Sequence, residues 1–325
     1  MPFLSLLLAA CAGGAPDPSP PADHPDTADT SDSVNLPDGD PATITLAGAC
    51  PLATRYGGFE IVVNDDYSTV SGAVADGVVP ITVLVEAARE DASPGDSCVL
   101  LRRDNPYCEP TCDPGETCDF DGACLPYPAN QDLGTIDVLG LREGVSMQPV
   151  VPGNTYFDTT LPHPVVDPDA LVELRAAGAP GFTLRGVGPE ALVPSTLAWV
   201  IGGAPLALAW NAPTGLGRST IELRLTVDQH GLTPLTLVCE FADDGTADIP
   251  PALVEELLVS GVSGYPNGRI SRRTADKVAV GAGCADLVVG YEVLPNVTVD
   301  GHTACDSHDD CPSGQHCNFP LETCE

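Results

Sequence analysis

The chain has 325 residues, enough to bury one large core or two medium ones without cross-links. Its 13 Lys and Arg against 46 Asp and Glu leave a formal charge of −33, a field that repels DNA, RNA and anionic lipid headgroups. Nucleic acid is thereby excluded as a partner, and with Lys277 the only lysine no polybasic patch exists to hold a membrane by charge.

At the N-terminus an apolar run from Phe3 to Ala10 ends in Leu8, Ala9, Ala10 and Cys11. This resembles the lipobox of bacterial lipoproteins, in which a small-residue site is cleaved just before a cysteine that carries diacylglycerol. The resemblance implies a signal peptide over 1–10 and a lipid on Cys11, with a membrane as partner through that lipid. Each buried methylene is worth about 0.8 kcal/mol, and more than one acyl chain gives durable attachment. No other segment reaches the ~18 to 20 continuous apolar residues that a spanning helix needs.

Residues 11–41 then form an acidic tether. From Gly14 to Pro41 the text is rich in Pro and Asp, lacks Lys and Arg, and holds almost nothing to bury. Such a segment does not repay its ordering entropy, and Pro with like charges keeps it extended.

Beyond the tether, period-two alternation dominates. STIELRLTVDQ is the clearest strand: Ile221, Leu223, Leu225 and Val227 take one side, Glu222, Arg224, Thr226 and Asp228 the other. The same habit marks FEIVV (59–63), ITVLVE (81–86), GTIDVLG (134–140), LVELR (171–175), FTLR (182–185), LALAW (206–210), LTLVCEF (235–241) and LVVGYEVL (287–294). Gly, Pro, Asn and Asp punctuate these runs at short intervals, which predicts a mainly β fold: an antiparallel β-sandwich body in one or two lobes. The expected lobes are 42–142 and 143–300. One short helix is predicted near 250–260, opened by Pro250 and Pro251, apolar at Leu253, Val254, Leu257 and Leu258, and stopped by Gly261.

Thirteen cysteines less Cys11 leave twelve: Cys50, Cys98, Cys108, Cys112, Cys118, Cys124, Cys239, Cys284, Cys305, Cys311, Cys317 and Cys324. The even count fits disulfides formed in an oxidising compartment. Cys50 and Cys98 bracket the first strand set, and Cys239 and Cys284 bracket the helix, so those are the expected pairs. The other eight fall in two small modules, one inserted at 105–127 and one closing the chain at 301–325. Both share C-x2-G-x2-C-[DN]-F, as Cys112, Gly115, Cys118, Asp119, Phe120 and again as Cys311, Gly314, Cys317, Asn318, Phe319.

Runs this short bury no core, so covalent closure must supply their order, at ~2 to 4 kcal/mol per bridge. Zinc is the rival reading, since Cys108 and Cys112 have the spacing of half a site. The remaining gaps lack paired C-x2-C knuckles, and exported thiolates oxidise first. The modules and the lipobox together resemble myxobacterial-type surface lipoproteins with short EGF-like or Dickkopf-like cysteine-rich repeats. That resemblance implies a cell-surface, non-catalytic setting in the bacterial envelope. Of the three possible connectivities in each module, it implies first-to-third and second-to-fourth.

Reactive constellations are scarce. His302, His308 and His316 lie near Asp306, Asp309 and Asp310, but no H-E-x-x-H or paired His on a strand makes them a metal site. His163 lies near Asp167 and Asp169 among turn prolines. Ser263 in GVSG lacks the G-x-S-x-G elbow, and NDDYST (64–69) offers acidic oxygens without EF-hand spacing. Trp210 continues the alternation of Leu206 and Leu208 and reads as core. The expectation is therefore a lipid-anchored, non-catalytic binding or structural module with no cofactor and no metal, whose ligand is a protein or a glycan. An exported hydrolase built from distant residues, for instance His163 or His230 with two carboxylates, and a calcium-dependent adhesin are the alternatives.

Overall fold

Alternation of apolar and polar residues makes strands, and nine of the 21 described join one long sheet. The computed structural model describes residues 39–78, 84–93, 96–103, 108–118, 122–202, 204–227, 235–259 and 261–325. Cys11, the signal peptide, nearly all of the tether, His24 and His230 lie outside them, as do residues 81–83 of the predicted ITVLVE strand and Asp119 and Phe120 of the first module. The described residues belong to one compact unit, Asn35–Glu325.

In chain order the first strands are β1 (Arg55–Val63), β2 (Ser68–Val74), β3 (Leu84–Ser93), β4 (Asp96–Arg103), β5 (Glu116–Cys118), β6 (Cys124–Pro126) and β7 (Ile136–Leu139). There follow β8 (Val145–Met147), β9 (Tyr156–Asp158), β10 (Leu171–Ala176), β11 (Phe182–Val187), β12 (Ala198–Ile201), β13 (Leu206–Ala209) and β14 (Thr220–Thr226). After β15 (Leu235–Ala242) and β16 (Thr246–Ile249) comes helix α1 (Pro251–Val259). The chain ends with β17 (Asn267–Val280), β18 (Gly283–Val293), β19 (Asn296–Val299), β20 (Cys317–Asn318) and β21 (Thr323–Cys324).

Nine strands form the main sheet, in the order β3-β4-β15-β14-β17-β18-β1-β2-β9. Its neighbours are antiparallel except β1 and β18, which run parallel with Phe59 opposite Leu287. A parallel pair needs a long crossover, and here most of the molecule supplies it. The expected mainly β, antiparallel architecture is present, with two parallel exceptions, this pair and β12–β19. A four-stranded sheet, β11-β10-β7-β8, and the pairs β12–β19, β13–β16, β5–β6 and β20–β21 complete the fold.

One face of the main sheet is buried along its length by two cores. Phe59, Ile61, Val70 and Leu287 pack against Val138, Leu174 and Leu184 of the four-stranded sheet, the sandwich arrangement. Leu223, Leu237, Phe241 and Ile270 pack against Trp199 and Ile201 of β12, Leu208 of β13, and Leu253 and Leu257 of α1. The boundary expected at 142/143 does not separate these cores. β4 belongs to the second core although it precedes that boundary, and β18 contributes Leu287 to the first although it follows it. Strand pairing joins the two segments, β4 to β15 and β1 to β18.

The helix forms where Pro250, Pro251 and the apolar spacing place it. It buries Leu253, Val254 and Leu257, and Gly261 follows it at φ 88°, in the left-handed region. Leu258 is only half-buried.

Candidate functional site: a guanidinium cleft on the main sheet

The residues that alternate with the core face the other way, and in the middle of the sheet they are charged. β14 contributes Glu222 and Arg224, β17 Arg269 and Arg273, β15 Glu240, and β18 Asp286 and Glu292. All but Glu292, together with residues 49–52, Arg55 and Glu60 of β1, line a cleft of about 500 Å³, whose floor continues into a smaller recess that Glu292 lines. That is the size range of small-ligand sites.

Glu222 is the centre of this cluster. It is expected from the alternation to be wet, yet it is buried. Arg224 Nε donates to its Oε1 at 2.8 Å, Arg269 lies 3.4 Å from the same oxygen, and Arg273 pairs with Oε2. Burial pushes the Glu222 carboxyl up, but the Arg224 hydrogen bond and the charges of Arg273, Arg224 and Arg269 outweigh it. The net effect holds the carboxyl below its usual range. Arg269 also donates to Glu292 at 3.1 Å, and Arg273 reaches Glu240. At the far end Asp286 takes both an Arg55 ion pair at 3.0 Å and the Cys50 N–H at 3.0 Å.

The layering decides what the cleft presents. The side chains of Glu222, Asp286 and Glu292 are 5%, 2% and 13% exposed and that of Arg273 12%, whereas those of Arg224, Arg269 and Arg55 are 38%, 34% and 34% exposed and that of Glu240 50%. Glu222 and Asp286 lie beneath and fix Arg224, Arg269 and Arg55, which meet solvent beside the exposed carboxylates of Glu60 and Glu240. Fixed guanidinium forks lose little freedom on binding a planar anion.

No His lines the cleft among its described residues. His163 is elsewhere: its Nε2 is 3.2 Å from the Asp65 carbonyl, and its Nδ1 is 2.9 Å from Ser68 Oγ. A carbonyl only accepts, so Nε2 carries a proton and donates to it, while Nδ1 shares a hydrogen bond with the Ser68 hydroxyl. Ser68 is buried and its oxygen accepts the Val165 N–H at 3.1 Å, which ties the 163–165 turn to β2. Asp167 pairs instead with Arg142 at 2.6 Å, and Asp169 accepts the Leu216 N–H. His302 Nε2 is 2.8 Å from the Gly264 carbonyl, and His308 Nδ1 accepts the Cys317 N–H. Asn64 closes the β1–β2 turn by accepting two N–H groups, and Asp65 accepts the Tyr291 hydroxyl.

The twelve described cysteines form six disulfides. Two differ from expectation: the pairs are Cys50–Cys284 and Cys98–Cys239, not Cys50–Cys98 and Cys239–Cys284. Cys98 and Cys239 sit directly opposite one another in the β4–β15 register, which bracketing along the chain does not reveal. In the modules the pairs are Cys108–Cys118 with Cys112–Cys124, and Cys305–Cys317 with Cys311–Cys324, first-to-third and second-to-fourth in each. The groups of three ligand-type side chains found among the described residues consist of these bonded sulfurs alone, which hold no thiolate for a metal. No described helix is long and apolar enough to cross a membrane.

The sequence signal for the cleft is the tripeptide Glu-Leu-Arg inside an alternating strand. It occurs in LVELR and in STIELRL, and both copies behave alike. Glu173, also buried, takes Arg175 from its own strand at 2.6 Å and Arg185 from the neighbouring strand at 2.9 Å.

No protein-family model matches the chain, and no curated protein matches it. Among solved structures, the crystal structure of chicken CNTN1 FN1-FN3 domains is similar at 9% identity over 68% of this chain and 70% of that one, with a TM-score of 0.13. At that score the likeness carries no argument about fold or function.

Proposed function

We propose that this chain is a non-catalytic binding module of the bacterial envelope, anchored to a membrane by a lipid on Cys11, with the guanidinium cleft as the surface that meets a protein or glycan ligand. The observation that carries the reading is the layering of Arg224 and Arg269 over buried Glu222 in a molecule whose surface is otherwise strongly acidic. Such an arrangement orients donors toward the cleft. Six disulfides and the lipobox-like N-terminus support a place outside the cytoplasm.

The test is a selection of ligands from a glycan array and a peptide library, repeated with an Arg224→Gln/Arg269→Gln variant. Ligands should lose binding to the variant and be recovered chemically intact. Equal binding to both proteins, or ligands recovered cleaved, would overturn the proposal. Intact mass of the native protein tests the anchor: acyl chains on an N-terminal Cys11 are expected, and an unmodified Met1 refutes them.

A further inference from the structure

The hydrogen-bonded register sets the outer side chains of the main sheet in rows. Val238 lies opposite Val99 on one side and Arg224 on the other, and Arg224 lies opposite Arg269. Neighbouring strands are about 4.8 Å apart, so these four residues form a line of roughly 14 Å. One end is apolar, the other cationic. All four line the same cleft, and Leu101, two residues beyond Val99 on β4, widens the apolar end.

The two arginines are not used up by their carboxylates. Arg224 employs Nε and one Nη on Glu222, and Arg269 its two Nη atoms on Glu292 and Glu222. A guanidinium has five N–H donors, so each has some to spare. Because the buried carboxylates already hold the arginines, an incoming anion needs to order only itself.

We infer that the cleft binds a ligand carrying a single carboxylate on an apolar stem, the carboxylate held by Arg224 and Arg269 and the stem laid along Val238, Val99 and Leu101. This rests on the reading of the cleft as the recognition surface and goes further by naming the ligand chemistry. A polyanion is disfavoured by the formal charge of −33 and by the cleft itself, where Arg55, Arg224, Arg269 and Arg273 are matched by Glu60, Glu222, Glu240 and Asp286; one carboxylate needs only the spare donors of Arg224 and Arg269. A neutral sugar would want an aromatic platform, and none lines the cleft among the described residues. Two sources present the required chemistry: an acyl-chain acid and the free C-terminus of a peptide ending in an aliphatic residue.

The experiment follows the arginine Nε–H signals of the full chain by NMR during titration with octanoate, octanol, the peptide Gly-Val-Leu as free acid, and its C-terminal amide. Octanoate or the free-acid peptide should shift the Arg224 and Arg269 signals saturably, and the matching alcohol or amide should not; the tighter acid identifies the source. Arg224→Gln should weaken binding roughly tenfold or more, the loss of a charged hydrogen-bond pair. Val238→Thr, at a half-buried position that keeps the strand's β-branched shape, should weaken it several-fold without altering the melting curve. Acids that bind no better than octanol or the amide, or that ignore Arg224→Gln, overturn the ligand class. So does a titration that moves no cleft signal. In each case, ligands from the glycan or peptide selection that still require Arg224 and Arg269 would leave the cleft standing as the binding surface, and their absence would remove both.

Discussion

Arg272 and Asp243 form an ion pair at 2.7 Å with essentially no side-chain surface left to water. Every remaining partner is internal. Arg272 donates to the carbonyls of Ala191 and Asn211, and Asp243 accepts from the Trp210 indole N–H at 2.9 Å and the Ser219 hydroxyl at 2.6 Å. The network ties β17 to the loop after β15 and to the segments before and after β13. Removing one partner leaves a buried charge with nothing to answer it.

Arg272→Met or Asp243→Leu alone should therefore cost about 3–5 kcal/mol of unfolding free energy. The double variant should cost less than the two single losses added, because no orphan charge remains. Urea unfolding of the four proteins at one pH measures the difference, and simple additivity would show that the pair is not coupled.

Peptide mapping without reduction should recover Cys50 linked to Cys284 and Cys98 linked to Cys239, and no peptide linking Cys50 to Cys98. Replacing Cys98 and Cys239 together with Ala should cost roughly 3–5 kcal/mol, since that bridge spans 141 residues and long closures restrict the unfolded chain most. The loss is read from the urea midpoint.

Acid should weaken the fold through Glu222 and Glu173. For both carboxyls burial acts upward, but arginine contacts prevail and the folded values lie below the ordinary range; at Glu173 the hydrogen bonds from Arg185 and Arg175 are responsible. A carboxyl with a depressed folded value contributes stability that is present above its unfolded value near 4.3 and is lost as pH falls through the folded one. The urea midpoint should thus drop steeply below about pH 4. Glu222→Gln should start lower at pH 7 and fall less on acidification; an unchanged slope would refute the assignment.

Tyr291 should ionise late. Burial, then the hydrogen bond to Asp65 and the charge on Asp65, push its phenol up to about 12. NMR titration of the ring carbon bearing oxygen should show this, and Asp65→Asn should lower the value while leaving it above that of a free tyrosine, because burial persists. The raised folded value means that this contribution to stability is whole below pH 10 and fades as pH rises toward 12.

Much of the fold was legible because local rules suffice for it. β14 carries a full alternation, with Ile221, Leu223 and Leu225 in the core, and α1 has its prolines and its glycine where helix ends need them. β17 was not legible, although it is the longest strand described. Arg272 and Asp276 stand on its inward side, and their partners are remote: Asp243 for one, the Ala47 and Arg185 N–H groups for the other. Alternation fails as a signal when a core position is filled by a charge answered from another part of the chain. The two long disulfides were misassigned for the same reason, since register between β4 and β15 is a property of the sheet and not of either segment. The cleft left one trace, Glu-Leu-Arg, which reads as ordinary surface until Arg269 and Arg273 arrive from β17.

The parallel union of β1 with β18 means that the strand made early is completed by one made far later. A ribosome or a translocation pore delivers Arg55–Val63 long before Gly283–Val293. Until then β1 has one finished neighbour at most and one bare edge, a place where a second copy could add itself. Assembly therefore waits on the emergence of β18, and shortening the chain before that strand should yield aggregates and not a smaller domain.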